Sequence, residues 1–301
     1  MANDVLLALL RANIAASMAI IAVFALRKPA RQMFGARLAY GLWLVVPAAT
    51  LGALFDLTTL DRPRAPNALS LAGKAWLTQT GHGTVLLSVW LAGVLGALVL
   101  AVWGQWRFLA AAKAGRAGPA VAGIIHARMI LPADFAEHFT PEERRLVCAH
   151  ERAHIDRRDA RANALAVLVQ CLGWFNPFLH LGARAMRLDQ ELACDATVIV
   201  RLPGERRRYA ETLLKTRLVQ TALPLGCKWI DRGVHPLEAR IAALGRPPPT
   251  RRRQDLGRVA MAVLGLATLC VARAIQPPQP PWPALVITYP MAVLVDLDVK
   301  R

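Results

Sequence analysis

Four apolar stretches, set apart by arginine-rich segments, constrain this chain more than any other feature. They run from about Val5 to Leu26, Leu38 to Phe55, Thr84 to Trp103 and Val259 to Ala274. A helix needs about 20 apolar residues to cross a hydrocarbon core, and the shorter fourth run suffices if tilted slightly or extended. The first run is too long for a signal-peptide core, and no clean small-residue cleavage site follows it. The 301 residues are 55% hydrophobic yet carry a formal charge of +17. A soluble domain rarely combines the two, whereas a membrane protein with basic internal loops does so readily. Nucleic acid is the other partner such charge suggests. The chain has no Cys/His finger spacing and no basic face interleaved with aromatics, so direct nucleic-acid binding is not expected.

Orientation follows from the basic loops. The Arg27–Arg37 loop and the long polar segment Arg107–Arg258 lie on one side of the runs, and Arg251, Arg252 and Arg253 abut the fourth. The positive-inside rule puts that side in the cytoplasm. The N-terminus, the Asp56–Gly83 loop and the tail then face outward, as in a multi-pass protein of the cell's inner membrane. A further apolar stretch, Ala164 to Leu181, is interrupted by Gly173 and by Asn176-Pro177. Were it to cross the bilayer, His150 and Glu191 would lie on opposite sides. It is therefore placed as a buried or membrane-surface helix followed by a turn.

His150-Glu151-Arg152-Ala153-His154 spells H-E-x-x-H within this polar segment. Residues four apart share a helix face, so both imidazoles can hold one metal ion. Zinc acidifies water, and Glu151 is placed to take its proton. The helix has a legible start: Thr140 as N-cap, Pro141 as first helical residue, Glu143 as capping-box partner. It is expected to reach about Arg157. Upstream, Ile124 to Leu131 reads as a short strand of the kind that holds an extended peptide by main-chain hydrogen bonds.

A catalytic zinc usually has three protein ligands and one open position. Ala160 stands where one type of third ligand would be, and no Glu lies about twenty residues downstream. The next acids are in Asp189-Gln190-Glu191-Leu192-Ala193-Cys194-Asp195. Glu191 and Asp195 share a helix face. Glu191 can bind the metal while Asp195 orients a ligand imidazole. A solvated acidic turn accounts for the same spacing.

Three blocks together are more specific. His150 through Asp159, then Trp174-Phe175-Asn176-Pro177, then Glu191-Leu192-Ala193-Cys194-Asp195 resemble, in order and spacing, the M56 family of integral-membrane zinc peptidases. These are the β-lactam sensor-transducers of the BlaR/MecR type. The resemblance implies a mainly α fold: four transmembrane helices, and a cytoplasmic gluzincin-like peptidase domain with a small β element between the third and fourth. The boundaries expected are 1–106 for three spans (5–26, 38–55 and 84–103), 107–256 for the peptidase domain, 257–275 for the fourth span and 276–301 for an extracytoplasmic tail. It also implies Glu191 as third zinc ligand, and a cytoplasmic repressor or the enzyme itself as substrate. His235-Pro236-Leu237-Glu238-Ala239-Arg240 resembles, one residue short, a block of the M48 membrane peptidases in which His and Arg steady an oxyanion. A helix start at His235 and a surface charge at Arg240 is the equal alternative. The tail contains no S-x-x-K acylation motif, so direct β-lactam sensing by this chain is not expected.

Five cysteines, Cys148, Cys171, Cys194, Cys227 and Cys270, form no C-x-x-C pair and read as free thiols. Two function classes compete. One is a membrane zinc endopeptidase with His150, His154 and Glu191 on the metal and Glu151 as general base. The other is a non-catalytic membrane transducer with a structural metal, which would want a fourth ligand such as Cys194 or His180.

Overall fold

The computed structural model describes residues 2–54, 82–219 and 236–275, and these are mainly helical. The first helix, α1 (Ala2–Phe34), extends well past the expected span. The segment from Arg27, expected as a loop, stays helical to Phe34 because its charges are answered. Arg27 is buried and lies 3.4 Å from Asp189, and Arg31 reaches the same carboxylate at 3.4 Å. Gly35, at φ 91°, makes the turn, a conformation that costs other residues more. The second run forms α2 (Ala36–Gly41), a short 3-10 turn at Leu42–Leu44, and α3 (Val45–Leu54). The third forms α4 (Gly83–Lys113). Three helices among the described residues are long and apolar enough to cross a membrane: Ala2–Phe34, Ala36–Leu54 and Gly83–Lys113. The exposed face of α4, with Val85, Leu95, Val99 and Trp103, is what lipid contact requires and water penalises.

Beyond α4, Ile124–Leu131 is not one strand. Ala120–Ala122 (β1) and Arg128–Ile130 (β2) pair antiparallel, with Ala120 opposite Ile130. Gly123, at φ 99°, turns the chain so closely that a Cβ there would collide with the His126 carbonyl. The expected strand thus begins too early at its centre and misses its partner. A short helix, α5 (Phe135–His138), leads into the motif helix α6 (Pro141–Asp156). Its start is the expected capping box: Thr140 Oγ1 accepts from the Glu143 amide, and the Glu143 carboxylate accepts from the Thr140 amide. Leu146, on its inner face, is buried against Val198, Tyr209, Leu213 and Leu244.

The apolar stretch of uncertain role is a helical hairpin. It consists of α7 (Asp159–Leu172), a turn, and the long α8 (Pro177–Arg201). Asn176 caps α8 by accepting from the Phe178 amide, with Pro177 at the first helical position. Two shorter helices, α9 (Arg206–Val219) and α10 (Pro236–Leu244), flank the site, and α11 (Arg251–Ile275) contains the fourth apolar run. The largest core cluster among the described residues joins α1, the 3-10 turn, α3 and α8. Ile20, Val23, Trp43 and Leu179 are buried in it, and Met261 and Leu264 of α11 pack on its edge. Membrane-type helices and site helices therefore share one core. The tail 276–301 and His235 lie outside the described residues.

Candidate metal centre

α6 presents His150 and His154 one turn apart, and α8 brings Glu191 over them. The two Nε2 atoms are 3.1 Å apart. Glu191 places Oε2 3.3 Å from His150 Nε2 and Oε1 3.5 Å from His154 Nε2. These three residues offer one ligand atom each, all within 4.8 Å of one another. Two converging imidazoles and one carboxylate are a donor set that zinc accepts.

What aims the imidazoles is on their other nitrogen. His154 Nδ1 lies 2.8 Å from Asp159 Oδ2. Arg158, at φ 59°, makes that contact possible. A left-handed residue between α6 and α7 reverses the chain within two residues, so Asp159 folds back on the helix it has just left. A bulky residue pays for this conformation, and such strain persists where the surroundings hold it. His150 Nδ1 lies 2.8 Å from the Tyr209 hydroxyl, which donates to Asp195 Oδ1 at 2.7 Å. His150 Nδ1 is also 3.4 Å from Asp195 Oδ1. Each Nδ1 thus faces an acceptor, which turns each Nε2 toward Glu191.

Arg240, from α10, closes the cluster. Its Nε and a terminal nitrogen donate to the two oxygens of Asp195 at 2.8 and 2.7 Å. Its other nitrogen lies 2.8 Å from Glu191 Oε2. The guanidinium is buried and forks two carboxylates at once, an arrangement its planar donors suit and an ammonium cannot copy.

The charges respond to this packing. Burial alone would raise the Asp195 carboxyl, but Arg240 and the His150 hydrogen bond hold it down to about 2. Burial would likewise raise Glu191, and Arg240 with the two histidines keeps it well below the usual carboxylate range. Burial would lower His150, yet its contacts with Asp195 and Glu191 raise it to about 9. Glu151 differs from its neighbours. It is buried, no ion pair to it is seen among the described residues, and burial above all pushes its carboxyl up.

Two residues that complete the site were not assigned a role from sequence. Asp159 had a signal, an acid just beyond the second histidine. Tyr209 had none, since it stands on a separate helix with no motif around it. Cys194 is fully buried and sits 3.3 Å from His154 Nδ1, with Asp159, on the side away from the Nε2 atoms. His180 is engaged elsewhere, with Gln170 and the Trp174 carbonyl.

This arrangement coincides with a family match. The family description "BlaR1 peptidase M56" matches residues 7–85 and 111–244, which include both site helices and the first two apolar runs. The chain belongs to the M56 peptidase family. Among M56-type relatives it is 31% identical over 104 residues to the methicillin resistance mecR1 protein of Staphylococcus aureus, covering 34% of this chain and 18% of that protein. It is 31% identical over 98 residues to regulatory protein BlaR1 of Bacillus licheniformis, covering 32% of this chain and 16% of that one. The matched segment thus spans under a fifth of these relatives' length. With three apolar helices of crossing length, this M56 protein is a membrane protein.

Proposed function

We propose that this protein is a membrane-embedded zinc endopeptidase that cuts a cytoplasmic protein, a transcriptional repressor or itself, in response to a signal. One observation carries the reading: His150, His154 and Glu191 converge with a buried Glu151 beside them. His150, His154 and Glu191 would hold the zinc. Bound there, zinc supplies Lewis acidity toward a peptide carbonyl and an attacking water. Glu151 takes the proton of that water and passes it to the leaving amine. Asp159, Tyr209 and Asp195 hold the imidazoles in the tautomer that turns Nε2 inward. Arg240 acts through Glu191 and Asp195, placing a fixed positive charge beside the ligand carboxylate. His235, one residue before α10 in the sequence, lies outside the described residues.

The architecture proposed is a peptidase domain at 107–256 on the cytoplasmic side, between α4 and a fourth span in α11. The repressor as substrate class rests on the family resemblance, and one relative is titled a regulatory protein. The competing structural-metal reading wants a fourth protein ligand. Among the described residues, Cys194 faces the wrong nitrogen of His154 and His180 is occupied, which favours an open catalytic position.

The test uses the full chain purified in detergent with lipid. Zinc is counted, and cleavage of the chain itself and of a co-expressed repressor is followed with time. Chelation is expected to stop cleavage, and added zinc to restore it. A folded, zinc-loaded chain that cuts neither sinks the proposal. The supporting shell has its own readout. Tyr209→Phe keeps the ring and removes the hydroxyl between His150 and Asp195. Its zinc affinity, measured by competition with a chelator, is expected to fall about 10- to 100-fold.

A further inference from the structure

The α7–α8 hairpin has an apolar tip that nothing in the metal site uses. Asn3 of α1 packs against Gly83 of α4, so the two membrane-type helices begin level with each other. Ten residues along each, about 15 Å at helical rise, lie Asn13 and Gly93. The hairpin tip meets both at that level. Asn176 Nδ2 donates to Asn13 Oδ1 at 3.1 Å and to Ser17 Oγ at 3.0 Å. The Trp174 indole fills the space over Gly93, where a side chain would collide with it.

From the tip, α8 runs alongside α1 in the same direction. Asp189 lies thirteen residues beyond Asn176, about 20 Å, and pairs with Arg27, fourteen residues beyond Asn13 and about 21 Å away. Two independent helices thus give the same depth. If Asn3 and Gly83 mark one edge of a hydrocarbon layer about 30 Å thick, the tip lies near its middle and Asp189 beyond its far edge.

The backbone of the tip is what such a depth demands. Irregular chain survives in a bilayer only when its polar groups are satisfied by protein. The Leu172 carbonyl accepts from Trp90 Nε1 at 2.8 Å, the Gly173 carbonyl from the Asn176 amide at 2.8 Å. The Trp174 carbonyl accepts from His180 Nε2 at 2.9 Å, while His180 Nδ1 accepts from Gln170. Meanwhile the outer face is bare and greasy. Leu165, Leu168 and Leu172 line one side of α7, and Phe175 and Phe178 continue it around the tip, all exposed. That face adjoins the exposed apolar face of α4, which α7 packs beside.

We infer that the α7–α8 hairpin is a re-entrant element, entering the bilayer from the side of the metal site and presenting Leu168, Phe175 and Phe178 to lipid acyl chains near mid-membrane. The inference rests on α1 and α4 being membrane spans. It goes beyond the peptidase reading by making the helix that carries Glu191 start inside the lipid, clamped to α1 at Asn13 and at Arg27. It goes deeper than the buried or membrane-surface placement expected from sequence.

The test places a nitroxide label on Phe175→Cys or Leu168→Cys, in a chain with Cys148, Cys227 and Cys270 changed to Ser. The protein is reconstituted in phosphatidylethanolamine–phosphatidylglycerol vesicles, and collisions with oxygen and with a polar nickel chelate are compared. Leu95→Cys on α4 serves as the lipid reference and Arg207→Cys, on an exposed side chain, as the water reference. Both hairpin labels are expected to match Leu95, with an oxygen-to-nickel ratio about tenfold above Arg207, since a polar complex is expelled from hydrocarbon. A nickel-accessible hairpin beside a lipid-exposed Leu95 overturns the inference alone. Labels shielded from both probes overturn it too, because protein then covers the face. Nickel access at Leu95 as well removes the span reading on which it rests.

Discussion

Glu151→Gln is expected to lower peptide-bond cleavage by about 10²- to 10⁴-fold while leaving bound zinc unchanged. The carboxamide has nearly the shape of the carboxylate, so the buried pocket beside His150 and His154 stays filled. What disappears is the ability to take a proton from water. Glu151 suits that task because burial raises its affinity for a proton, while Arg240 holds Glu191 and Asp195 low against their own burial. The measurement pairs single-turnover cleavage with metal counting on the same sample. A variant that keeps both its zinc and its rate removes Glu151 from the mechanism and moves the structural-metal reading ahead. A variant that loses zinc assigns Glu151 a part in holding the site instead.

Arg240→Met is expected to be the most destabilising single change near the site. It leaves Asp195 and Glu191 without the cation that forks them, and Asp195 is almost wholly inaccessible to water. Removing one partner of a buried ion pair costs about 3–5 kcal/mol, because the remaining charge is desolvated without compensation. Arg240→Lys should recover only part of this, since an ammonium cannot hold both oxygens of Asp195 and reach Glu191. Denaturant unfolding of the zinc-free chain measures the loss apart from metal binding. Adding Asp195→Asn to Arg240→Met is expected to cost less than the two single changes summed, as neighbours sharing one network do. Strict additivity would mean that the fork contributes little and that Arg240 matters only to chemistry.

Much of this protein is legible along the chain because it depends on local periodicity. The apolar runs at 5–26, 38–55 and 84–103 predicted helices, found as Ala2–Phe34, Ala36–Leu54 and Gly83–Lys113, since twenty apolar residues have few other stable arrangements. Thr140, Pro141 and Glu143 announced the start of α6, because capping is settled within four residues. The four-residue spacing of His150 and His154, and of Glu191 and Asp195, placed each pair on one face for the same reason. The interruption at Gly173 and Asn176-Pro177 marked a turn after a helix, and the structure starts a second helix there, at Pro177.

The remaining features depend on contacts between residues far apart in sequence, which no local pattern carries. Arg27 and Arg31 read as loop charges until Asp189, more than 150 residues later, is found between them. Ile124–Leu131 read as one strand because hydrophobicity does not reveal a glycine turn or the partner at Ala120. Tyr209 carries no motif, and its hydroxyl matters only because α9 packs against α6 and α8. Arg240 read equally as an oxyanion partner or a surface charge, and packing buries it against Asp195 and Glu191. Sequence alone determined which segments suit lipid, where the motif helix begins and which side chains could meet a metal. Tertiary structure decided which of them meet, because burial and pairing of charge are properties of the packed chain rather than of any segment in it.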